Sequence, residues 1–371
     1  MLGKIMKKNT SSNQSSPVAL LVGTRPELIK MAPVIREAQL RKINFIFIHS
    51  NQHYTAEMDA AILQDLQLPA PDFHLNVGSG SHAVQTGKVM ERVEQICLLH
   101  KPVLLVVHGD TNTTLGGALS AKKLHIPVAH VEAGLRSFDY RMPEEINRIL
   151  TDRISDLLFA PNEIARDNLL KEGISDKLIT VTGNTVVDAL YQHLPLSSTQ
   201  TILSDIGVQK DQFILMTAHR PENVDSKEQL SRLISLLNHI AERMKLQIIW
   251  PMHPRTATRL SEFSIELPNF IRVVPPLGYL NMLRLIEAAQ LVLTDSGGIQ
   301  EEAYILKKPI MTLRDSTERP ETLTANFLIH LSSNKFDKAY SAIKAKRIHW
   351  GNSCGDGTAA KQIIAKIETL L

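Results

Sequence analysis

The chain has 371 residues, which is more than one ordinary domain needs and predicts two domains. Hydrophobic residues make up 43% of the sequence and charged residues 21%, so we expect a globular protein with a sizeable core, and global disorder is excluded. Lys and Arg number 41 against 38 for Asp and Glu, a balance that argues against a nucleic-acid partner, as does an aromatic content of 5%.

Residues 1–17 are predicted to form a polar N-terminal extension. Its basic start is followed by Asn, Ser and Gln where a signal peptide would have an apolar run. No stretch reaches the roughly 18 consecutive apolar residues of a membrane span, so no membrane partner is expected. Cys97 and Cys354 form neither a CxxC motif nor a disulfide framework, which favours a reducing compartment. These features predict a cytoplasmic protein.

In the first half of the chain, short runs rich in Val, Ile and Leu alternate with longer amphipathic stretches. This is the βαβ pattern of a parallel sheet with helices on both faces. We therefore predict an N-terminal Rossmann-like domain over residues 18–190. Its strands are expected at Val18 to Gly23, Asn44 to His49, Val103 to His108, Pro127 to Glu132, Leu157 to Ala160 and Ile179 to Thr182.

The pattern breaks after Gly183, where a helix-like stretch around Val186 to His193 is followed by the polar run LSSTQT. We predict the domain junction there and a second Rossmann-like domain over residues 191–356. The fold class is thus α/β, with two doubly wound domains facing each other across a cleft. Strands of the second domain are expected at Phe213 to Thr217, Gln247 to Pro251, Ile271 to Val274, Leu291 to Thr294, Ile310 to Leu313 and Leu328 to Leu331.

Two glycine-containing motifs match known patterns only in part. GSGSHA at Gly78 to Ala83 fits the GxGxxA dinucleotide pattern, but a poor strand precedes it and no acidic residue ends a strand about 20 residues on. We interpret it as a Gly/Ser loop. GNSCG at Gly351 to Gly355 fits the GxSxG nucleophile pattern, but no His follows it to complete a triad. We interpret it as a loop before the last helix.

DSGGIQEEA leads from a predicted strand into a helix and has the features of a diphosphate seat. Gly297 and Gly298 let the backbone approach an anion, while the helix start after Ser296 offers unpaired N–H groups and a positive dipole end. Glu302, in the first turns of that helix, could accept hydrogen bonds from a ribose diol. A purely structural tight turn is an equally good interpretation of this motif alone.

Ionisable side chains follow several other predicted strands. Arg25 and Lys30 lie in GTRPELIK after the first strand, and His219 and Arg220 lie in TAHRPEN after the first strand of the second domain. Each one alone could be a helix cap or a surface charge, but the carboxyl ends of parallel strands converge on one cleft, so we expect a shared site. Carboxylates in comparable positions of the first domain are Asp110 in HGDTNTT, Glu132 in HVEAGLR and Glu144 in RMPEEINR.

The sequence resembles the non-hydrolysing UDP-N-acetylglucosamine 2-epimerases. The motifs that carry the resemblance occur in the same order in that family: GTRPELIK, HGDTNTT, HVEAGLR, PEEINR, GNTVVDAL, TAHRPEN, DSGGIQEEA, RDSTERPE and GDGTAAKQI. It covers about Val18 to Leu371. The resemblance implies a glycosyltransferase-B type fold in which the second domain binds the nucleotide and a C-terminal helix, residues 357–371, packs back on the N-terminal domain.

The resemblance also implies a reaction, the interconversion of UDP-GlcNAc and UDP-ManNAc without an organic cofactor or an obligatory metal, in the supply of cell-surface polysaccharide precursors. UDP would be eliminated to give 2-acetamidoglucal and would then re-add, which requires proton transfer on both faces of the sugar and a cationic cradle for UDP. Relatives are commonly homodimers. The implied acid/base carboxylates are Asp110, Glu132 and Glu144, in an order left open, with His219 near the anomeric oxygen. The implied contacts to the UDP-sugar are Arg25, Lys30, Arg220, Ser296, Gly297, Gly298, Glu302 and Arg319.

This chain departs from the family pattern at three places. Leu277 and Met282 stand where bacterial relatives often have Gln and Phe beside the uracil. Residues that take part in an allosteric UDP-GlcNAc site in some relatives have counterparts in Gln52, His53 and His253, but an Arg of that site is missing from the GSGSHA loop, which argues against allosteric activation. The segment SFDYRMPEE differs near the sugar, so a modified UDP-HexNAc, such as a diacetamido or uronic acid derivative, stays an alternative substrate.

Three other functions stay open at this point. A hydrolysing 2-epimerase would release free ManNAc, but GTRPELIK and HVEAG differ from the motifs of that branch. A glycosyltransferase of the same architecture needs fewer carboxylates around the sugar. A catalytically silent UDP-sugar sensor would bind without turnover.

Overall fold

The computed structural model describes residues 16–51, 62–317, 319–351 and 354–371. Its first half contains a seven-stranded sheet in the order β3-β2-β1-β4-β5-β6-β7, with every pair parallel. The buried strands β1 and β4 are adjacent, and the strand order reverses between them. The strands are β1 Val18–Val22, β2 Phe45–His49, β3 Phe73–His74, β4 Leu104–His108, β5 Val128–Val131, β6 Leu157–Ala160 and β7 Ile179–Val181.

The second half contains a six-stranded parallel sheet in the order β10-β9-β8-β11-β12-β13. Here the order reverses between β8 and β11, so each sheet has one topological switch point. Two such sheets confirm the predicted α/β fold class. The strands are β8 Phe213–Thr217, β9 Gln247–Pro251, β10 Ile271–Val274, β11 Leu291–Thr294, β12 Ile310–Thr312 and β13 Asn326–Leu328.

Helices connect the strands, and polar side chains define where several of them begin. The carboxylate of Glu27 accepts the backbone N–H of Thr24 at 2.7 Å at the start of α1, and Ser81 accepts the N–H of Val84 at the start of α2. The helices are α1 Arg25–Leu40, α2 His82–His100, α3 Asn112–Lys123, α4 Pro143–Ile154, α5 Glu163–Lys171, α6 Thr185–Ser198, α7 Ile202–Asp205, α8 Pro221–Val224, α9 Lys227–Met244, α10 Pro254–Glu262, α11 Tyr279–Ala288, α12 Gly297–Ile305, α13 Ser333–Lys344 and α14 Ala359–Glu368. Residues 62–65 are also helical.

The hydrophobic core of the first sheet includes side chains from the second half of the chain. Tyr279 and Leu283 of α11 and Ile363 of α14 belong to the same buried cluster as the apolar residues of β1 and α1. Arg41 at the end of α1 also pairs with Glu368 of α14 at 2.7 Å. The last helix therefore lies against α1, although the domain boundaries at 190 and 356 stay predictions.

Three elements differ from the predicted pattern. The short strand β3 was not predicted, because a two-residue strand carries no alternation to detect. β13 begins at Asn326 rather than Leu328, because the buried Asn326 amide hydrogen-bonds Thr312 and Thr322. α6 continues to Ser198 and so includes the first half of the polar run LSSTQT, where we predicted the domain junction. Within the described ranges, no helix is both long and apolar enough to span a membrane.

Candidate active site

A cavity of about 350 Å³ lies between the two domains. Ligands of doubly wound sheets bind beyond the carboxyl ends of strands at a switch point, and here both switch points open into the same space. Arg25 and Lys30, which follow β1, line the cavity from one side, while His219, Ser296 and Glu302 line it from the other. The structure thus brings together five side chains that the sequence placed at separate strand ends.

The loop between β11 and α12 forms an anion seat on the second domain. α12 begins at Gly297, and a Cβ atom added to Gly297 or Gly298 would have no neighbour within 4 Å. The backbone of Ser296 turns inward, donating its N–H to Thr294 Oγ1 at 3.0 Å. An open glycine pair at the start of a helix suits a phosphate group, because the first N–H groups and the helix dipole both face it.

Asp295 fixes the turn that carries His219 and Arg220. Its buried carboxylate accepts the backbone N–H groups of these two residues at 2.9 and 2.8 Å and the amide of Asn223 at 3.1 Å. Burial opposes the ionisation of Asp295, but its contact with the His219 ring, 3.1 Å from Nδ1 to Oδ1, lowers its pKa below the usual value. His253 packs against His219 with ring centroids 5.4 Å apart. His219 is therefore oriented through one ring nitrogen, leaving Nε2 for a ligand.

Deeper in the cleft, four buried charged side chains of alternating sign meet where the two domains touch. Lys30 forms a short contact with Glu132 and lies 3.0 Å from Glu301, while Arg319 lies 2.7 Å from Glu301 and 3.5 Å from Glu132. We call these four residues the charge cluster. Asn184 Nδ2 donates to Glu301 at 3.2 Å from a further side.

The electrostatics of the charge cluster favour its ionised form. Burial would raise the pKa of Glu132, but Lys30 and Arg319 hold it well below its ordinary range. Burial would likewise lower the pKa of Lys30, but Glu132 and Glu301 raise it instead. His108, 3.8 Å from Glu132, has its pKa lowered to about 3 mainly by burial, so its imidazole is neutral.

The backbone at Glu132 is unusual. Its φ of 70° lies in the left-handed region, which a non-glycine residue adopts at an energetic cost. Such conformations persist where the surrounding structure fixes them, and they cluster at functional sites. This turn after β5 aims the Glu132 carboxylate at Lys30.

The other two predicted carboxylates are not among the described residues that line the cavity or form the charge cluster. Asp110, after β4, pairs with Arg148, and its carbonyl oxygen accepts the Asn147 amide at 2.9 Å. Glu144 is exposed in the first turn of α4, and among the described residues no ion pair joins it to the charge cluster. Its neighbour Glu145 is buried, pairs with Arg148 at 2.6 Å and so supports Asp110 indirectly.

Arg25 and Glu302 line the same cavity. Arg25 donates to the carbonyl of Leu277 at 3.4 Å and thereby bridges the two domains. Burial, reinforced by the neighbouring Glu301 charge, raises the pKa of Glu302 to about 7. Leu277 and Met282 line the cavity as apolar side chains. Gln52 and His53 lie outside the described residues.

Sequence reasoning missed Glu301, Arg148 and Asp295. Each is a buried charge whose partner lies far along the chain, and the partner cannot be identified from the residue itself. α12 is buried around most of its circumference, and a buried carboxylate needs a cation beside it. The second Glu of this helix, Glu301, could therefore have been recognised as part of a charged site. Within the described ranges, no group of three or more His, Cys, Asp or Glu side chains is positioned to hold a metal ion.

Fold and site together define a two-domain α/β protein with an anion seat in one domain and buried carboxylates in the other. A family model described as UDP-N-acetylglucosamine 2-epimerase matches residues 36–368. The chain therefore belongs to the UDP-N-acetylglucosamine 2-epimerase family, whose members are isomerases, and the resemblance stated from the motifs is confirmed.

Relatives and solved structures agree with this assignment. A UDP-N-acetylglucosamine 2-epimerase of Methanococcus maripaludis is 47% identical over 358 residues, covering 94% of this chain and 97% of the relative. The crystal structure of Methanocaldococcus jannaschii UDP-GlcNAc 2-epimerase in complex with UDP-GlcNAc and UDP has a TM-score of 0.87 at 47% identity, covering 95% of this chain and 99% of that one. A UDP-2,3-diacetamido-2,3-dideoxy-D-glucuronate 2-epimerase of Pseudomonas aeruginosa is 40% identical, covering 93% of this chain and 98% of the relative.

Proposed function

We propose that this protein is a non-hydrolysing epimerase that interconverts UDP-GlcNAc and UDP-ManNAc. The observation that supports this most is that Lys30 lines the same cavity as Gly298 at the start of α12 and also contacts the buried carboxylate of Glu132. A diphosphate at Gly298 and a hexose beside Glu132 would span the cleft. The relatives named as UDP-GlcNAc 2-epimerases support the same substrate.

The proposed route is elimination followed by re-addition. A carboxylate takes the proton from C2 while the C1–oxygen bond breaks, so UDP leaves with the bonding electrons and 2-acetamidoglucal remains. A second acid then protonates C2 from the opposite face and the UDP oxygen re-adds at C1. Two proton-transfer groups are needed because each face of the ring requires one. We assign them to the set Asp110, Glu132 and Glu144, with their order open.

Retention of UDP distinguishes this reaction from hydrolysis. We propose that the diphosphate is held by the backbone at Ser296, Gly297 and Gly298 and by nearby cations, with Glu302 accepting the ribose diol. His219, held by Asp295, would donate to the departing anomeric oxygen. The cations assigned to this cradle are Arg25, Lys30, Arg220 and Arg319.

The test is epimerisation of UDP-GlcNAc in heavy water. We expect UDP-ManNAc that carries deuterium at C2, and NMR of the product reports both stereochemistry and label. Asp110→Asn in the same assay should lower turnover by on the order of 100-fold, as expected for a lost acid/base group, whereas Asp176→Asn, which removes an exposed ion pair with Arg166, should not. Unlabelled product, free ManNAc or no turnover would each contradict the proposal.

A modified sugar is the second candidate substrate. The Pseudomonas aeruginosa relative acts, by its name, on a UDP-2,3-diacetamido-2,3-dideoxy-D-glucuronate. A carboxylate at C6 of that sugar needs a cation, and Arg141 in the divergent SFDYRMPEE segment is exposed near the start of α4. A higher kcat/KM for the diacetamido uronate than for UDP-GlcNAc would assign the chain to this substrate.

We also propose a homodimer, located in the cytoplasm, that supplies polysaccharide precursors. Large apolar side chains are exposed on one segment of the first domain, which is unusual outside interfaces. They are Phe138, Tyr140, Ile146 and Leu150, with exposed fractions of 70%, 71%, 45% and 46%. Light scattering that reports a monomer at micromolar concentration would contradict the dimer.

A further inference from the structure

The charge cluster contains Glu132, one of the candidate acid/base carboxylates. Its cations stabilise the ionised form of Glu132, which makes it harder for this carboxylate to take up a proton. Lys30 and Arg319 each contact both Glu132 and Glu301, so the two carboxylates share the same two cations. No member has more than 11% of its side chain exposed, and in such an environment charge interactions are strong. A carboxylate held by two cations is a poor base, because ionisation is already favoured.

We propose that Glu301 is a positioning residue that competes with Glu132 for Lys30 and Arg319, so that a substrate diphosphate bound beside Lys30 releases Glu132 for proton transfer. This inference rests on the proposed epimerase function. It gives Glu301 a role in timing: the carboxylate touches no reacting atom but sets how firmly the cations hold Glu132.

The position of Lys30 couples the substrate site to the charge cluster. Its side chain lines the cavity, and its ammonium group contacts both Glu132 and Glu301. A diphosphate at the start of α12 adds negative charge next to this ammonium and draws it away from Glu132. Glu301 lies one turn further along α12, so it faces the same cations from the second domain. Bound substrate and Glu301 then act together to raise the pKa of Glu132 toward a useful value.

Other charged groups face the charge cluster and must be accounted for. His108 is neutral, because burial lowers its pKa to about 3, and therefore adds no charge beside Glu132. Burial raises the pKa of Glu321, which feels both Arg319 and the cluster carboxylates. Glu302 follows Glu301 in the chain, and Asp110 acts on Arg319 from the first domain. His108 and Asp110 are unchanged in every variant below, whereas Glu301→Gln also removes a charge that raises the pKa of Glu302, so Glu302 is followed separately through the pH dependence of KM.

Glu301→Gln tests the proposal through the pH profile of kcat. Without the Glu301 charge, Lys30 and Arg319 pair with Glu132 alone, and the pKa of Glu132 falls. The limb of the kcat–pH profile that reports Glu132 should therefore move to lower pH by about one unit. The direction is the same whether Glu132 acts as base or as acid. At neutral pH kcat should fall, by up to about tenfold if Glu132 acts as the acid and by less if it acts as the base, while KM for UDP-GlcNAc should not rise, because a negative charge near the diphosphate has been removed.

Arg319→Gln supplies the opposite change. It removes a cation from the charge cluster, so the same limb of the pH profile should move to higher pH. The double variant Glu301→Gln/Arg319→Gln restores the net charge of the cluster, so its limb should return toward the wild-type position. Glu172→Gln is the matched control, since Glu172 pairs with the buried Arg136 at 2.6 Å outside the cavity. The control should lower Tm without moving either limb.

The outcomes separate this inference from the proposed function. A wild-type protein that forms no deuterated epimer contradicts the function itself. An active wild type whose Glu301→Gln variant loses activity with an unchanged pH profile gives Glu301 a merely structural role and overturns the inference. If the single variant at 301 does not fold, the double variant compared with Arg319→Gln must still show the shift to lower pH, and its absence overturns the inference equally.

Discussion

At the residue scale, the adjacent residues Glu301 and Glu302 of α12 lie in different surroundings. Glu301 points into the charge cluster, whereas Glu302 lines the cavity beside Arg25. Successive helical residues lie about 100° apart around the axis, so two neighbouring carboxylates face different parts of the cleft. The Glu301 charge in turn raises the pKa of Glu302, which couples the two sites.

The pKa of Glu302 predicts a pH dependence of substrate binding. Burial and Glu301 raise this pKa to about 7, and the ionised form accepts hydrogen bonds from the hydroxyls of a ribose diol more strongly than the protonated form does. KM for UDP-GlcNAc should therefore rise as the pH falls through about 7, and Glu302→Gln should abolish this dependence. Steady-state kinetics on both proteins measure it.

The exposed Glu228, paired with Arg232 on α9, provides the control for that experiment. Glu228→Gln should keep the wild-type pH dependence, because it lies outside the cavity. A wild-type KM that stays constant across neutral pH would show that Glu302 does not titrate in the complex.

The sequence predicts the types of residue at this site better than their partners. Asp110, Glu132 and His219 follow strands, and strand ends are recognisable from hydrophobic runs. Their partners Arg148, Arg319 and Asp295 are fixed by tertiary packing between segments distant in the chain. Glu144 shows the converse: its motif suggests a role in the site, yet its side chain is exposed.

At the element scale, buried parallel strands are the most predictable part of this molecule. β4, with all five residues buried, reads as a continuous apolar run, which is typical of a sheet covered on both faces. The end of α6 was less predictable. Ser197 and Ser198 donate to the Leu194 carbonyl from within the helix, so the polar run is satisfied locally without leaving the helical conformation.

The start of α14 depends on a side chain from another helix. The Asp188 carboxylate, on α6, accepts the N–H groups of Ala359 and Ala360 at 3.2 and 3.0 Å. Asp188→Ala leaves both donors without this buried acceptor and should lower the free energy of unfolding by about 2 kcal/mol. Asp188→Asn keeps one oxygen and should cost about half as much. Denaturant titration measures both values.

Asp176 provides a comparison, because it pairs with Arg166 on the exposed surface. Asp176→Ala should change stability by less than about 1 kcal/mol. If Asp188→Ala were as mild, solvent would be capping α14, and the link between α6 and α14 would contribute little to holding the last helix on the first domain.

At the scale of the whole molecule, the two segments that cross between the domains touch each other. Asn184 donates its N–H to the Cys354 carbonyl at 2.8 Å, and Gly183 and Gly355 have φ values of 87° and 99°. A Cβ atom at Gly355 would lie 2.9 Å from the Gly183 Cα, closer than real side chains come. The crossing therefore has room for two glycine backbones and nothing more, and we expect any closure of the cleft to turn about it.

Gly355→Ala should consequently impair both stability and closure. The new methyl group pushes the two crossing segments apart, so we expect a lower Tm, kcat reduced about tenfold, and a radius of gyration that no longer decreases when UDP is added. Gly173→Ala is the matched control: Gly173 also has a positive φ, 79°, but a Cβ atom there meets nothing within 4 Å. Both variants place an alanine at a positive φ and so strain the backbone, but only Gly355→Ala disturbs the crossing. Comparing the change in radius of gyration on UDP binding between the two variants, by small-angle scattering, therefore reports the effect of the crossing alone. Equal compaction of the two variants on UDP binding would place the pivot elsewhere in the chain.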